Sequence, residues 1–100
     1  MFPAFSQTYQ ELSERAVAAT EQDSLSLAEK YIEQALKMEP ANPHNALLFS
    51  NLGTIQRWQH RYEHALDSYT LALNIAPRAI PALMNRAALY LELGKDDLAR

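Results

Sequence analysis

The sequence has 100 residues, and 48% of them are hydrophobic, which is enough for one small core but not for a second domain with its own active-site cleft. Nine basic and twelve acidic residues give a net charge of −3 at pH 7, so the chain lacks the positive charge with which proteins attract nucleic acids or anionic membranes. There is no Cys, which excludes disulfides, thiolate catalysis and Cys-bound zinc, and no apolar run approaches the roughly 18 residues that a membrane span requires.

Residues 1–8 are predicted to form an N-terminal extension. Ala4-Phe5-Ser6 before Gln7 has the small-x-small pattern of a signal-peptide cleavage site, but no basic region and no full apolar region precede it. Two interpretations stay open: an ordinary N-terminus, or the remnant of a signal peptide in an exported protein. The cellular location is therefore unknown, with the cytoplasm as the default expectation.

Apolar residues that recur at intervals of three and four predict amphipathic helices along the rest of the chain. The clearest stripes are Phe49-Leu52-Ile55 and Leu66-Tyr69-Leu73. The predicted helices span residues 6–22, 25–38, 43–58, 62–75 and 80–93, with the beginning of a sixth helix from residue 96.

Turn-forming residues mark the expected helix boundaries. Asn42 is able to cap free N–H groups and Pro43 is tolerated in a first turn, so this pair is expected to open the third helix. Pro77 and Pro81 bracket the connection before the fifth helix. Gly94 is expected to end the fifth helix in the left-handed conformation and to be followed by a new N-cap.

The chain contains an internal repeat. Residue types in the segment 46–79 return 34 positions later, at Leu83, Ala87 and Ala99, and a similar pattern precedes Pro40 as well as Pro77. Repeats are therefore predicted at about 9–42, 46–79 and 80–100, the last of them truncated. Small residues in matching slots are expected where paired helices approach closely, at Ala16, Gly53 and Ala87 and at Ala28, Ala65 and Ala99.

The segment from Asn51 to Pro77, N-L-G-x(8)-Y-x-x-A-x-x-x-Y-x-x-A-L-x-I-x-P, resembles a tetratricopeptide repeat, and the resemblance extends over about nine-tenths of the chain. It implies an all-α fold, a right-handed α-solenoid of antiparallel helix pairs. The sequence departs from the usual pattern at four slots, with His60 in place of Gly, Gln56 in place of Tyr, and Arg15 and Arg86 in place of Leu.

The resemblance also implies a concave surface on which such repeats bind peptides. The candidate groove residues are Ser13, Val17, Asn51, Thr54, Arg57, Trp58, Met84 and Asn85. Asn51 and Asn85 occupy the same slot in successive repeats, where an amide suits an extended peptide backbone, although Asn is also simply common at this slot. Arg57 and Trp58 are residue types of interface hot spots, with packing of Trp58 under a neighbouring loop as the alternative.

One peptide-binding mode is excluded by the residues present. Related domains that clamp the acidic tails of cytosolic chaperones use Lys, Asn and Arg at fixed groove positions, and the resemblance places those positions here. Only Asn51 is retained among the matching residues, which are Ser13, Val17, Asn51, Pro81 and Asn85. A clamp for two carboxylates is therefore not expected.

No residue pattern predicts catalysis, a metal or a cofactor. His60 and His64 have the spacing of metal ligands on a helix, but His60 falls in a predicted turn and no third ligand is indicated. The carboxylates are spread along helix surfaces, no Ser has a nucleophile motif, and two glycines cannot form a phosphate-binding loop. We expect a protein that is not an enzyme.

Two functions follow from the sequence. The first is a protein–protein interaction module that binds a peptide or helix of a partner in the groove. The alternative is a structural spacer or self-association segment of a longer repeat protein. The chain stops early in its expected sixth helix, which leaves Leu83, Leu89 and Leu93 without their usual cover, so a longer natural chain or a homodimer through this face is expected.

Overall fold

The computed structural model describes residues 8–97, which form five α-helices and the turns between them. They are α1 (Tyr9–Glu21), α2 (Leu25–Met38), α3 (Asn45–Trp58), α4 (Tyr62–Ile75) and α5 (Ile80–Asp97). These residues contain no strand, which confirms the all-α class. The signal-peptide motif at Ala4-Phe5-Ser6 and the small residue Ala99 lie outside the described residues.

The chain divides into two compact units between Asn42 and Pro43. The first unit contains α1 and α2, which are joined by the short turn 22–24 and pack against each other. The second unit contains α3 and α4, joined by the turn 59–61, followed by α5, which contacts both. Each of the first two sequence repeats therefore contains one packed helix pair, and α5 belongs to the third.

A capping box fixes the beginning of α1. The Thr8 hydroxyl accepts a hydrogen bond from the Glu11 N–H at 3.0 Å, and the Glu11 carboxylate accepts one from the Thr8 N–H at 2.9 Å. Two of the unpaired N–H groups of the first turn are thereby satisfied. The predicted start at residue 6 was wrong, and the T-x-x-E pattern from Thr8 to Glu11 is the signal that it overlooked.

The capping box has a measurable effect on the Glu11 carboxyl. The hydrogen bond from the Thr8 backbone N–H, followed by the contact with the Thr8 hydroxyl, lowers the pKa of Glu11 below 4.5. A lowered pKa means that the ionised carboxylate stabilises the fold above the unfolded-state pKa, and that this contribution disappears as the pH falls through the folded-state pKa.

We expect Thr8→Ala to lower the free energy of unfolding by about 1 kcal/mol and to return the pKa of Glu11 towards 4.5. Urea unfolding gives the first quantity and an NMR titration of the Glu11 carboxyl gives the second. Thr20→Ala is the matched control, because the Thr20 hydroxyl donates to the Ala16 carbonyl near the other end of the same helix. An unchanged Glu11 pKa in Thr8→Ala would contradict the capping-box assignment.

Two residues in the left-handed backbone region close the turns between paired helices. Asp23 has a φ of 60° and His60 a φ of 63°. In each turn the next residue's N–H bonds back across the helix end, from Ser24 to the Ala19 carbonyl and from Arg61 to the Gln56 carbonyl, both at 2.8 Å. These are the bonds of the Schellman motif, and Asp and His are among the non-glycine residues that tolerate its left-handed position. The placement of His60 in a turn is confirmed.

The predicted end of the fifth helix was wrong. No glycine has a positive φ, and α5 continues through Gly94 to Asp97, so neither a left-handed end at Gly94 nor a separate sixth helix from residue 96 forms in the described residues. Glycine permits the left-handed conformation without requiring it.

The start of α3 also differs from the prediction. The helix begins at Asn45 with His44 in the N-cap position, and no side chain caps it. Asn42 instead donates its side-chain N–H to the Glu39 carboxylate at 2.8 Å. The first turn is closed by backbone bonds to the carbonyls of Pro43 and His44, so the Asn42-Pro43 pair lies before the helix rather than inside it.

Small residues occupy the closest helix contacts in both units. Ala16, Ala28 and Ala65 are buried, and Gly53 lies directly against the ring of Tyr69. Ala87, predicted to be equivalent, is exposed, because no helix of the described chain packs over this side of α5. The core of the second unit contains two clusters of buried residues and their half-buried neighbours. One comprises Ala65, Tyr69, Leu89, Tyr62, Leu66 and Leu93, and the other Ala72, Leu73, Ala82, Phe49 and Ala79.

Candidate functional site

Six of the eight predicted groove residues lie on α3 and α5 of the second unit. Asn51, Thr54 and Trp58 recur at helical spacing on α3, and Met84 and Asn85 lie on α5. We name this region the α3–α5 surface, defined by Asn51, Thr54, Arg57, Trp58, Met84, Asn85, Leu91 and Glu92. Leu91 and Glu92 complete the α5 side, because they lie about two helical turns beyond Met84 and Asn85, respectively.

An ion pair connects the two helices across this surface. Arg57 of α3 donates a hydrogen bond from its guanidinium to the carboxylate of Glu92 on α5. The Arg57 side chain is 26% exposed and that of Glu92 is 41% exposed, so both groups face the surface. The hydrogen bond with Glu92 raises the pKa of the Arg57 guanidinium, which stays charged at every physiological pH.

A buried tyrosine supports the ion pair from beneath. The Tyr69 hydroxyl lies 2.9 Å from the Thr54 hydroxyl, and its interaction with the Arg57 guanidinium adds to the raised pKa of Arg57. Tyr69 is fully buried and its ring packs against Gly53. Thr54 is therefore held in position by a buried side chain of α4.

Three apolar side chains stand out from the α3–α5 surface. Trp58 is 54% exposed, Met84 66% and Leu91 73%. The packing of Trp58 beneath a neighbouring loop is therefore not observed in the described chain. Exposed large apolar side chains that share a surface are typical of interaction sites rather than of a solvated helix face.

The two asparagines of the repeated slot are half-buried on this surface. Within residues 8–97, neither the Asn51 nor the Asn85 side-chain amide takes part in a hydrogen bond. Each amide therefore has a donor and an acceptor available for another molecule.

The other two predicted groove residues belong to α1 of the first unit. Ser13 is buried, and its hydroxyl donates to the Tyr9 carbonyl at 3.1 Å, which leaves it little capacity to contact a ligand. Val17 is exposed.

Sequence reasoning missed Glu92 and the supporting role of Tyr69. Glu92 lies 35 positions after Arg57, one residue more than the 34-residue repeat, and so falls on the first helix of the next repeat. A cation and an anion at that separation are the sequence signal for an ion pair between successive repeats. Nothing in the sequence alone marks the Tyr69 hydroxyl as a partner of Thr54.

The histidines form local contacts. His60 places its Nδ1 atom 2.8 Å from the Tyr62 hydroxyl, with the two rings edge to face, and His64 is exposed on α4. In the described part of the chain, no three residues of the metal-binding types are grouped to hold an ion. Within residues 8–97 no helix is long and apolar enough to cross a membrane.

No family model and no curated protein matches the sequence. Among solved structures, the chain is similar to a tetratricopeptide repeat protein from Parabacteroides merdae, with 46% identity over 90% of this chain and a TM-score of 0.83. The chain covers 35% of that protein's chain. The sequence motif, the packed helix pairs and this similarity together show that the chain is built from tetratricopeptide repeats.

Proposed function

We propose that the second unit binds a peptide or helix of a partner protein on its α3–α5 surface. Tetratricopeptide-repeat folds generally mediate protein–protein interactions, which gives the class of function. The observation that carries the proposal for this chain is the combination of three exposed apolar side chains with two available amides on one surface. Apolar anchors supply affinity, and each amide pairs with one backbone N–H and one carbonyl of an extended segment.

A protein partner fits the charge of the chain better than a nucleic acid does. Twelve acidic residues against nine basic ones leave the chain without the excess of positive charge that attracts phosphates. The groups on the α3–α5 surface are amides, a hydroxyl, apolar side chains and one ion pair, none of which is arranged as a nucleophile with a base. The proposed function is therefore binding without catalysis.

The test uses peptides enriched from a displayed random library on the full chain, with affinities measured by fluorescence anisotropy. We expect the double variant Asn51→Ala/Asn85→Ala to weaken binding by about tenfold or more, because two sets of backbone hydrogen bonds are lost. Asn74→Ala is the matched control, since Asn74 is an exposed asparagine on α4. Its affinity should equal that of the wild type.

Equal affinities for the wild type and the double variant would overturn the assignment of the two asparagines. Failure to enrich any peptide would favour the alternative of a structural spacer or self-association segment.

The homodimer stays a prediction, supported by the exposed apolar residues along α5, which are Ile80, Leu83, Met84, Tyr90 and Leu91. Sedimentation of the same samples over a wide concentration range shows whether it forms.

A further inference from the structure

We propose that the α3–α5 surface selects partner segments that are apolar and uncharged, and that Glu92 is the residue that sets this preference. The inference rests on the proposed function and names the chemical class of the partner. Its central observation is the Arg57–Glu92 ion pair, in which the carboxylate already occupies the position that an acidic partner would take.

Arg57 and Glu92 are the only charged residues among the eight that define the α3–α5 surface. The other charged residues of the segment 43–94 lie on α4 or in the turns 59–61 and 76–79, apart from Arg86, which donates to the Thr70 hydroxyl of α4. Arg57 and Glu92 neutralise each other, so the surface presents no net charge to a ligand. Complementarity of charge therefore favours a neutral partner.

Arg57 already has an anionic partner on the α3–α5 surface. Its guanidinium donates a hydrogen bond to Glu92, and about a quarter of its side chain is exposed. A carboxylate of the partner would have to displace Glu92 and would then lie beside a second negative charge. Like charges at that distance repel, so acidic segments bind less well.

An exposed apolar residue adjoins each member of the ion pair in the sequence. Trp58 follows Arg57 in α3, and Leu91 precedes Glu92 in α5, and both side chains are more than half exposed. An aliphatic or aromatic side chain placed there buries apolar surface without separating the two charges. The favoured ligand is thus a segment whose anchor is apolar and whose neighbouring side chains carry no charge.

Removal of Glu92 should change the specificity without unfolding the protein, because a partly exposed ion pair contributes little to stability. The experiment selects from one displayed random peptide library with four full-chain proteins. These are the wild type, Glu92→Gln, the double variant Arg57→Met/Glu92→Gln, and Glu63→Gln as the control. Glu63→Gln makes the same change in net charge on α4, away from the surface.

We expect the peptides selected by the wild type and by Glu63→Gln to contain less Asp and Glu than the starting library. Peptides selected by Glu92→Gln should contain more, because Arg57 then has no anionic partner. Peptides selected by the double variant should have the wild-type composition. An acidic peptide should bind Glu92→Gln about three to five times more tightly than its Gln counterpart, with a difference that shrinks as salt is added.

The outcomes separate the two proposals. If the wild type enriches acidic peptides, or if Glu92→Gln selects the same composition as the wild type, the inference about Glu92 is wrong while binding itself stands. If the wild type enriches no peptide, the proposed function fails and the inference fails with it. Circular dichroism of all four proteins ensures that a changed selection reflects the surface and not unfolding.

Discussion

Gly53→Ala should lower the free energy of unfolding by about 2 kcal/mol, even though alanine is the better helix former. A Cβ atom at residue 53 would lie 2.6 Å from Cε1 and 2.7 Å from Cδ1 of Tyr69, closer than real carbon contacts allow. The Tyr69 ring is fully buried, so it cannot move aside into solvent. Overpacking of this kind costs up to about 3 kcal/mol, of which the helix propensity of alanine offsets about 1 kcal/mol.

The measurement is urea unfolding followed by far-ultraviolet circular dichroism, and the melting temperature should fall by about 10 °C. A double-mutant cycle identifies the cause. In a Tyr69→Val background the Cδ1, Cε1 and Cζ atoms are all absent, and Gly53→Ala should become neutral or slightly stabilising. Equal destabilisation in both backgrounds would show that the Tyr69 ring is not what requires glycine at this position.

The helices that the sequence predicted best are those whose ends depend on local signals. The bounds of α2 and α4 agree with the prediction, because an amphipathic stripe and a nearby turn residue define each of them. The starts of α1 and α3 and the end of α5 differ, since each depends on which backbone groups find a partner. Gly94 illustrates the limit, because its residue type permits both continuation and termination of a helix.

One departure from the repeat pattern has a structural explanation that the sequence did not provide. Gln56 stands where the family usually has Tyr, and it is buried beside α4. Its side-chain oxygen accepts a hydrogen bond from the Ser68 hydroxyl at 2.6 Å, so a buried polar pair replaces an aromatic contact. Such a pair is visible only when two helices are placed together, because neither residue alone indicates it.

In the candidate site too, the periodicity of the sequence predicted some features and the packing of helices determined the others. The helical offsets placed Asn51, Thr54 and Trp58 on one side of α3, which needs only the periodicity of a helix. The pairing of Arg57 with Glu92 and the support from Tyr69 depend on the spacing between helices. Sequence periodicity thus indicates which residues reach a surface, whereas the electrostatic character of that surface comes from packing.

Two leucines of α5 provide the largest expected difference in stability between similar substitutions. Leu89 has no exposed surface and packs with Ala65 and Tyr69, whereas Leu91, two residues further, is 73% exposed. We expect Leu89→Ala to lower the free energy of unfolding by about 3 kcal/mol, because it removes buried methyl groups and leaves a cavity. Leu91→Ala should change it by less than about 0.5 kcal/mol. Urea unfolding of both variants gives the comparison.

Peptide affinity should respond in the opposite order. Leu91→Ala removes a proposed apolar anchor of the α3–α5 surface and should weaken binding by about tenfold, whereas Leu89 has no exposed surface with which to contact a ligand. At a temperature where Leu89→Ala is still folded, that variant should bind like the wild type. Loss of stability in Leu91→Ala, or full affinity in that variant, would contradict the placement of Leu91 on the binding surface. The change from Leu to Ala at two positions of one helix thus distinguishes Leu89, which stabilises the fold, from Leu91, which is proposed to contact the partner.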